Sequence, residues 1–225
     1  MRLLTILFAM FFATGLFGQQ NVLDGMFVNT PRLEKKDAIE KIGEEMVKGS
    51  QYFNNNFINA DVVNYPTSYP MRYNPYTDEI EFEVDGTLYD LDKTNHPVVE
   101  FTGVKRKYVA MNYNDGTNPS FGYLLEISKG KNYSLYKREK IIFVPKVESK
   151  TGMDAERPAE FRPVQDLYLI KLKNGNVIPV IKSKKKFLKS MGEDEKRTEE
   201  FIKKNKINLN KESDLVSLVT FLNQN

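Results

Sequence analysis

The chain has no cysteine, no tryptophan and a single histidine, His96. Without thiols it cannot build a disulfide framework, a thiolate zinc site, an iron–sulfur cluster or a cysteine nucleophile. One imidazole cannot supply the two or three His ligands of a transition-metal centre within one chain, so no metal and no cofactor is expected. Charge of one sign is lacking too. With 33 Lys and Arg against 30 Asp and Glu, the whole-protein field gives no reason to expect nucleic acid as a partner. After Phe17 no apolar run approaches the roughly 20 residues that a spanning helix needs, so no transmembrane segment is expected once the leader is gone.

What is present starts with an address. Met1 and Arg2 form a short positive region, Leu3 to Phe17 is apolar except at Thr5, Thr14 and Gly15, and Gly18-Gln19-Gln20 turns polar. That order predicts a signal peptide over residues 1–18 and an exported protein, periplasmic, outer-envelope associated or secreted. Export without cysteines is physically reasonable, because a chain of 225 residues buries roughly 70% of its unfolded surface and needs no covalent staples.

The mature chain divides into three stretches. Residues 19–49 form an N-terminal segment in which Ile39, Ile42 and Met46 recur at helical spacing, predicting one short helix from about Leu33 to Lys48. Residues 50–182 read as an antiparallel β domain. Its first part, up to Pro75, is rich in Asn, Pro and aromatic residues, and predicts a packed loop with short strands. Glu79-Ile80-Glu81-Phe82-Glu83-Val84 then alternates strictly, and Asp85-Gly86 supplies a two-residue turn before Thr87 to Leu91. That turn pairs Phe82 with Tyr89, Ile80 with Leu91 and Glu81 with Asp90. A second hairpin runs from Leu167 to Lys182 around Asn174-Gly175; its first strand is apolar on both faces, and Pro179 pushes its second strand to an edge. Further strands are expected near 98–101, 104–113, 121–128, 132–137 and 141–147, and the loop Glu148 to Pro163 reads as a flexible insertion.

Residues 183–225 change period. Ser183 is placed to cap one helix, a second runs from about Glu193 to Lys204, and Asn210 is placed to cap a third with Leu215, Leu218, Val219 and Leu222 on one face. Together these signals predict an α+β fold, mainly β: an antiparallel curled or barrel-like sheet with a helical C-terminal subdomain packed on it.

Several clusters carry possible chemistry. Between Tyr76 and Glu100 stand eight carboxylates and one base, Lys93. Two of Asp78, Glu79, Glu81 and Glu83 could form the carboxylate pair of a glycan hydrolase, since neighbours on one strand face lie ~6.6–7 Å apart and such pairs span roughly 5–9.5 Å. Spacing by two opposite an apolar row is also the signature of a solvated strand face, which is the reading preferred here. Residues 101–146 hold nine Lys or Arg against three acids; pairing of acidic with basic strands accounts for such segregation. Asp90 to Asn95 spaces its oxygens like a calcium loop but lacks the Gly and Glu of an EF-hand, and reads as a hydrogen-bonded turn. His96 precedes Pro97, and no Gly-x-Ser-x-Gly elbow supplies a nucleophile for it. Lys182 to Lys186 puts positive charge at a helix start, where the dipole disfavours it.

The segment Tyr69-Pro70-Met71-Arg72-Tyr73-Asn74-Pro75-Tyr76-Thr77-Asp78-Glu79-Ile80-Glu81-Phe82 resembles a family of uncharacterised secreted proteins of Bacteroidetes, in an Arg-Tyr-Asn-x-x-x-Asp-Glu-Ile-Glu-Phe-like motif at 72–82. Gly49-Ser50-x-Tyr52 and Phe201-Ile202-Lys203-Lys204-Asn205-Lys206 also resemble it. The resemblance implies export and one structural unit, and brings no catalytic residue.

The resulting expectation is a non-enzymatic exported protein that binds an unknown protein, envelope component or ligand through aromatic loops, with Tyr52, Tyr65, Tyr69 and Tyr76 as the contact residues. The alternative is the hydrolase on Asp78, Glu79, Glu81 and Glu83. A third reading, a curled sheet closing on an apolar ligand, requires a cavity of ~300 Å³ or more lined by Phe and Tyr.

Overall fold

The computed structural model describes residues 47–65, 68–84, 86–95, 97–148 and 156–224. The expected signal peptide, most of the expected first helix, and His96 lie outside the described residues.

Among the described residues thirteen strands, three α-helices and one short 3-10 helix follow one another. Ten strands form one antiparallel sheet in the order β13-β12-β9-β8-β7-β6-β2-β3-β4-β5. They are β2 (Ile58–Val62), β3 (Tyr69–Asn74), β4 (Glu79–Val84), β5 (Thr87–Asp90), β6 (Val98–Phe101), β7 (Arg106–Asn114), β8 (Pro119–Ser128), β9 (Ser134–Arg138), β12 (Leu167–Lys171) and β13 (Val177–Pro179). The sheet curls into a half-barrel. A shift of register between Glu126 and Ser128, where β8 meets β9, adds bend to that curl.

The first hairpin has the expected register: Phe82 faces Tyr89, Glu81 faces Asp90, and Leu91 N–H donates to the Ile80 carbonyl. The second is shifted by one residue. Leu169 faces Pro179 and Ile170 faces Ile178, so the connection is the three residues Lys173-Asn174-Gly175, with Gly175 at φ +89°. The Gly175 N–H donates to the Leu172 carbonyl, closing a turn that only a left-handed residue completes without strain. Its second strand is an edge, and its first is buried on both faces, as Leu169 and Ile170 show.

Two expectations need correction. The first helix does not reach Lys48: β1 (Val47–Lys48) is a strand, parallel to β11 (Ala159–Pro163). Gly49 ends it at φ +80°, where a Cβ would sit 2.5 Å from the Phe161 carbonyl oxygen. The stretch up to Pro163 is accordingly not only a loop. Its last five residues are β11, the centre of a three-stranded sheet completed by β10 (Ile141–Val144).

The interior is continuous. Met71, Ile80, Phe82, Val99, Phe101, Tyr108 and Tyr123 fill the concave side of the curl. Ile127 packs on this cluster and on the next, which α1 (Lys184–Ser190), α2 (Glu195–Asn205) and α3 (Glu212–Leu222) build against Leu135 and Ile170. Leu215, Leu218, Val219 and Leu222 are all buried there, worth about 1.5–3 kcal/mol each. Neither expected cap operates. Ser183 makes no side-chain cap bond, and α3 starts after Lys211; Asp214 reaches back to accept the Asn208 N–H instead. At the other end of α3, Asn223 accepts the N–H groups of Asn132 and Tyr133 and donates to the Tyr133 carbonyl, which fixes the helices to the β8–β9 connection.

Candidate functional site

A pocket of about 330 Å³ opens at the end of the sheet where β2 begins. Its position follows from strand lengths. β2 pairs with β3 only from Ile58 opposite Met71 to Ala60 opposite Tyr69, so Arg72 to Asn74 run past it. On the other side β6 ends at Phe101 and turns back into Arg106. Ile58, Met71, Tyr73, Phe101 and Tyr108 wall the gap. Phe53 and Val104, 50% and 44% exposed, stand at its mouth with the amides of Asn54 and Asn56. Gly103 lets the β6–β7 turn close on the pocket floor: a Cβ there would lie 3.3 Å from Ile58 Cγ2.

Arg72 holds the loop that makes one wall. Its guanidinium lies 3.9 Å from the Tyr52 ring centroid and 4.4 Å from that of Phe57, and Nη1 donates to the Asn55 carbonyl at 3.0 Å. On the strand side its Nε donates to Glu81 Oε2 at 2.8 Å. Glu81 is completely buried. Besides Arg72 it accepts from Asn74 Nδ2 at 2.7 Å and from the Tyr52 hydroxyl at 2.9 Å. Alternation put Glu81 on a face expected to be solvated; the structure covers that face with residues 51–57, and the carboxylate is tolerated because a cation and neutral donors meet it there. Arg72, Asn74 and Glu81 are three residues of the Arg-Tyr-Asn motif, and Tyr73 and Asp78 are joined by a second bond, Tyr73 hydroxyl to Asp78 Oδ1 at 2.8 Å.

The second cation of the pocket is Arg106, at the start of β7. Its Nη2 bonds to the buried Glu139 carboxylate and, at 2.8 Å, to the Tyr108 hydroxyl, which itself donates to Glu139 at 2.7 Å. Burial pushes the Tyr108 hydroxyl up and Glu139 adds to it, so it remains a donor. Burial alone would lower the Arg106 guanidinium, but Tyr108 and Glu139 raise it, and it is a fixed cation. Its side chain is 36% exposed. Among the described residues Nη1 of Arg106 has no hydrogen-bond partner.

The acidic run does not gather into one centre. Asp78 and Glu79 share Lys93, at 3.4 and 3.0 Å, Glu81 is held by Arg72, and Glu83 is exposed. Burial raises Asp78 and Glu79, with Lys93 opposing it in both. The four tyrosines do not converge either. Tyr52 is bound to Glu81, Tyr65 and Tyr69 pack on the concave core, and Tyr76 stacks edge-on against Phe161 of the small sheet. None of the four is among the lining residues, although Tyr52 directly precedes Phe53 and Tyr69 lies on the same strand as Met71. Strand pairing of opposite charge is seen at Glu100 opposite Lys107, 2.6 Å apart, whereas the acidic β4 lies between β3 and β5, away from the basic strands. Asp92 accepts the Thr94 N–H and hydroxyl in a local turn. Among the described residues no group of three or more His, Asp or Glu could hold a metal ion, and no helix is long and apolar enough to cross a membrane.

Sequence reasoning missed Phe53, Val104, Arg106 and Glu139. One signal was available: Glu139 is an isolated acid between Arg138 and Lys140, and an acid placed among bases is a sign of a specific partner. Comparison with known protein families, with curated proteins and with solved structures gives no match.

Proposed function

We propose that this is an exported, non-enzymatic binding protein whose ligand is a small molecule with an apolar body, held in the pocket between residues 53–58 and the β6–β7 turn. One observation carries the reading: a cavity of about 330 Å³, walled by Met71, Tyr73, Phe101 and Tyr108, with Phe53 and Val104 left in solvent at its mouth. Large apolar side chains at a concave opening lose water when a ligand enters, and this volume falls at the lower end of small-molecule sites. The described lining contains Arg, Asn and Tyr but no carboxylate, which supports binding over acid–base hydrolysis. Export rests on the leader-like residues 1–18.

The test is a titration of the chain from residue 19 onward with N-phenylnaphthylamine, a neutral probe whose fluorescence rises in apolar surroundings. Saturable enhancement is expected, and Phe53→Asp and Val104→Asp, both at exposed positions and so harmless to folding, should each weaken it about tenfold or more, by removing apolar contact and adding a charge at the mouth. Enhancement that is absent, or unchanged in both variants, rules this pocket out as the binding site.

A further inference from the structure

The pocket has an apolar interior, yet its polar groups are unequal in kind. Arg106 Nη1 is without a partner among the described residues, and Asn54 has its Oδ1 engaged by the Asn56 N–H at 3.0 Å, which leaves its NH2 group as a donor. Of the acceptors, the Tyr108 hydroxyl already takes two bonds from Arg106, and the Asn56 amide offers both an acceptor and donors, so the fixed charge on the lining that lacks a full set of partners is that of Arg106. Arg106 cannot swing away to solvent without taking from the buried Glu139 its closest cation and leaving it to Lys137, 3.7 Å away, and the Tyr108 hydroxyl, so its free Nη1 is held in place. A guanidinium edge fixed by an internal carboxylate is preorganised for a planar anion, and it presents its donors at no cost in ordering.

We propose that the ligand is a small amphipathic monocarboxylate, with its carboxylate on Arg106 Nη1 at the mouth and its apolar body against Phe101, Met71 and Tyr73. This rests on the pocket reading above and specifies the class of molecule. Arg72 is not the receiving group, because its Nε, Nη1 and Nη2 already donate to Glu81, the Asn55 carbonyl and the Tyr52 hydroxyl. It acts as a positioning residue that holds the Tyr52–Phe57 wall.

Calorimetric titration of the chain from residue 19 with phenylbutanoate, phenylbutanol and acetate tests the idea. Phenylbutanoate should bind about tenfold or more tightly than phenylbutanol, as one charge-assisted hydrogen bond in a partly desolvated site provides, and acetate should bind far more weakly than either. Arg106→Gln alone leaves the buried Glu139 with only the more distant Lys137 as its cation, so the informative variant is Arg106→Gln with Glu139→Gln, which removes both charges of the closer pair together. In it the preference for acid over alcohol should shrink to under about threefold, with the loss falling mainly on the acid. Arg106→Lys, which keeps the cation for Glu139, should lose part of the preference and checks that the fold is intact. Equal affinity for acid and alcohol, or an acid preference that survives in the double variant, overturns the carboxylate assignment and leaves the pocket reading in place. Failure of both phenylbutanoate and phenylbutanol to bind overturns the assignment too, and if the neutral probe also fails, the pocket reading falls with it.

Discussion

Replacing Arg72 with Met retains most of the side chain's apolar stem and removes its charge. Glu81, fully buried, then loses the 2.8 Å contact from Nε and keeps Asn74 and the Tyr52 hydroxyl, both neutral. Removing one partner of a buried ion pair costs about 3–5 kcal/mol. The guanidinium also leaves the rings of Tyr52 and Phe57, which adds roughly 0.5–1 kcal/mol per contact. Urea unfolding followed by far-ultraviolet circular dichroism, at unchanged m-value, should show a loss of about 3–5 kcal/mol or more, equivalent to a fall in Tm of about 6–20 °C for a chain of this size. The double variant Arg72→Met/Glu81→Leu should be more stable than the single one, because no charge is left inside. A single-variant cost under about 1 kcal/mol, typical of exposed pairs, or a double variant at least as damaged as Arg72→Met, would refute the claim that Glu81 depends on its cation.

Two further predictions concern turns. Asp78 sits at φ +59°, a conformation that Asn adopts readily, and burial raises its carboxyl from the ordinary 3.8. A raised acid holds its proton longer in the native state, so stability falls as pH climbs from the ordinary value through the raised one. Asp78→Asn should flatten that fall as pH rises above about 4 in urea midpoints, leaving the share that Glu79 contributes with the same sign; curves that run parallel for the two proteins would show that the carboxyl is not buried as described. Gly175→Ala, at φ +89° with open space around its Cβ position, should cost about 1–2 kcal/mol from backbone conformation alone, and Gly175→Asn less; a neutral Gly175→Ala in thermal unfolding would show that residue 175 is not left-handed.

Legibility from sequence tracks the range of the interaction. Ile80, Phe82, Tyr89 and Leu91 were placed correctly because strict alternation and Asp85-Gly86 are local. Asn174-Gly175 is equally local, yet it suits both a two-residue turn and the end of a three-residue one, and the choice depends on how Leu172 meets Asn176. The stripe on α3 was legible for the same reason that its caps were not: four buried residues share one period, whereas a cap depends on a single backbone angle. Glu81 shows the limit most clearly. Alternation tells which residues share a face of β4, but what covers that face is a loop more than twenty residues earlier, joined at Tyr52 with a sequence separation of 29. β1 was out of reach, since two residues pairing in parallel with Ala159 and Glu160 leave no periodic trace. The pocket was out of reach as well. It is made by the unequal lengths of β2, β3 and β6, a property of pairing and not of composition.

One contact across the curl has a mechanical meaning. Asp78, at the tip of the β3–β4 hairpin, accepts the Tyr123 N–H of β8, and it can do so because residue 122 is Gly; a Cβ there would stand 2.2 Å from the Asp78 carboxylate. In the order of the sheet four strands, β7, β6, β2 and β3, separate β4 from β8. The clasp therefore ties the two arms of the half-barrel together like a hasp, and the arms cannot splay to widen the space between them. Opening the curl must first break this bond, and any side chain at residue 122 would break it from the outset.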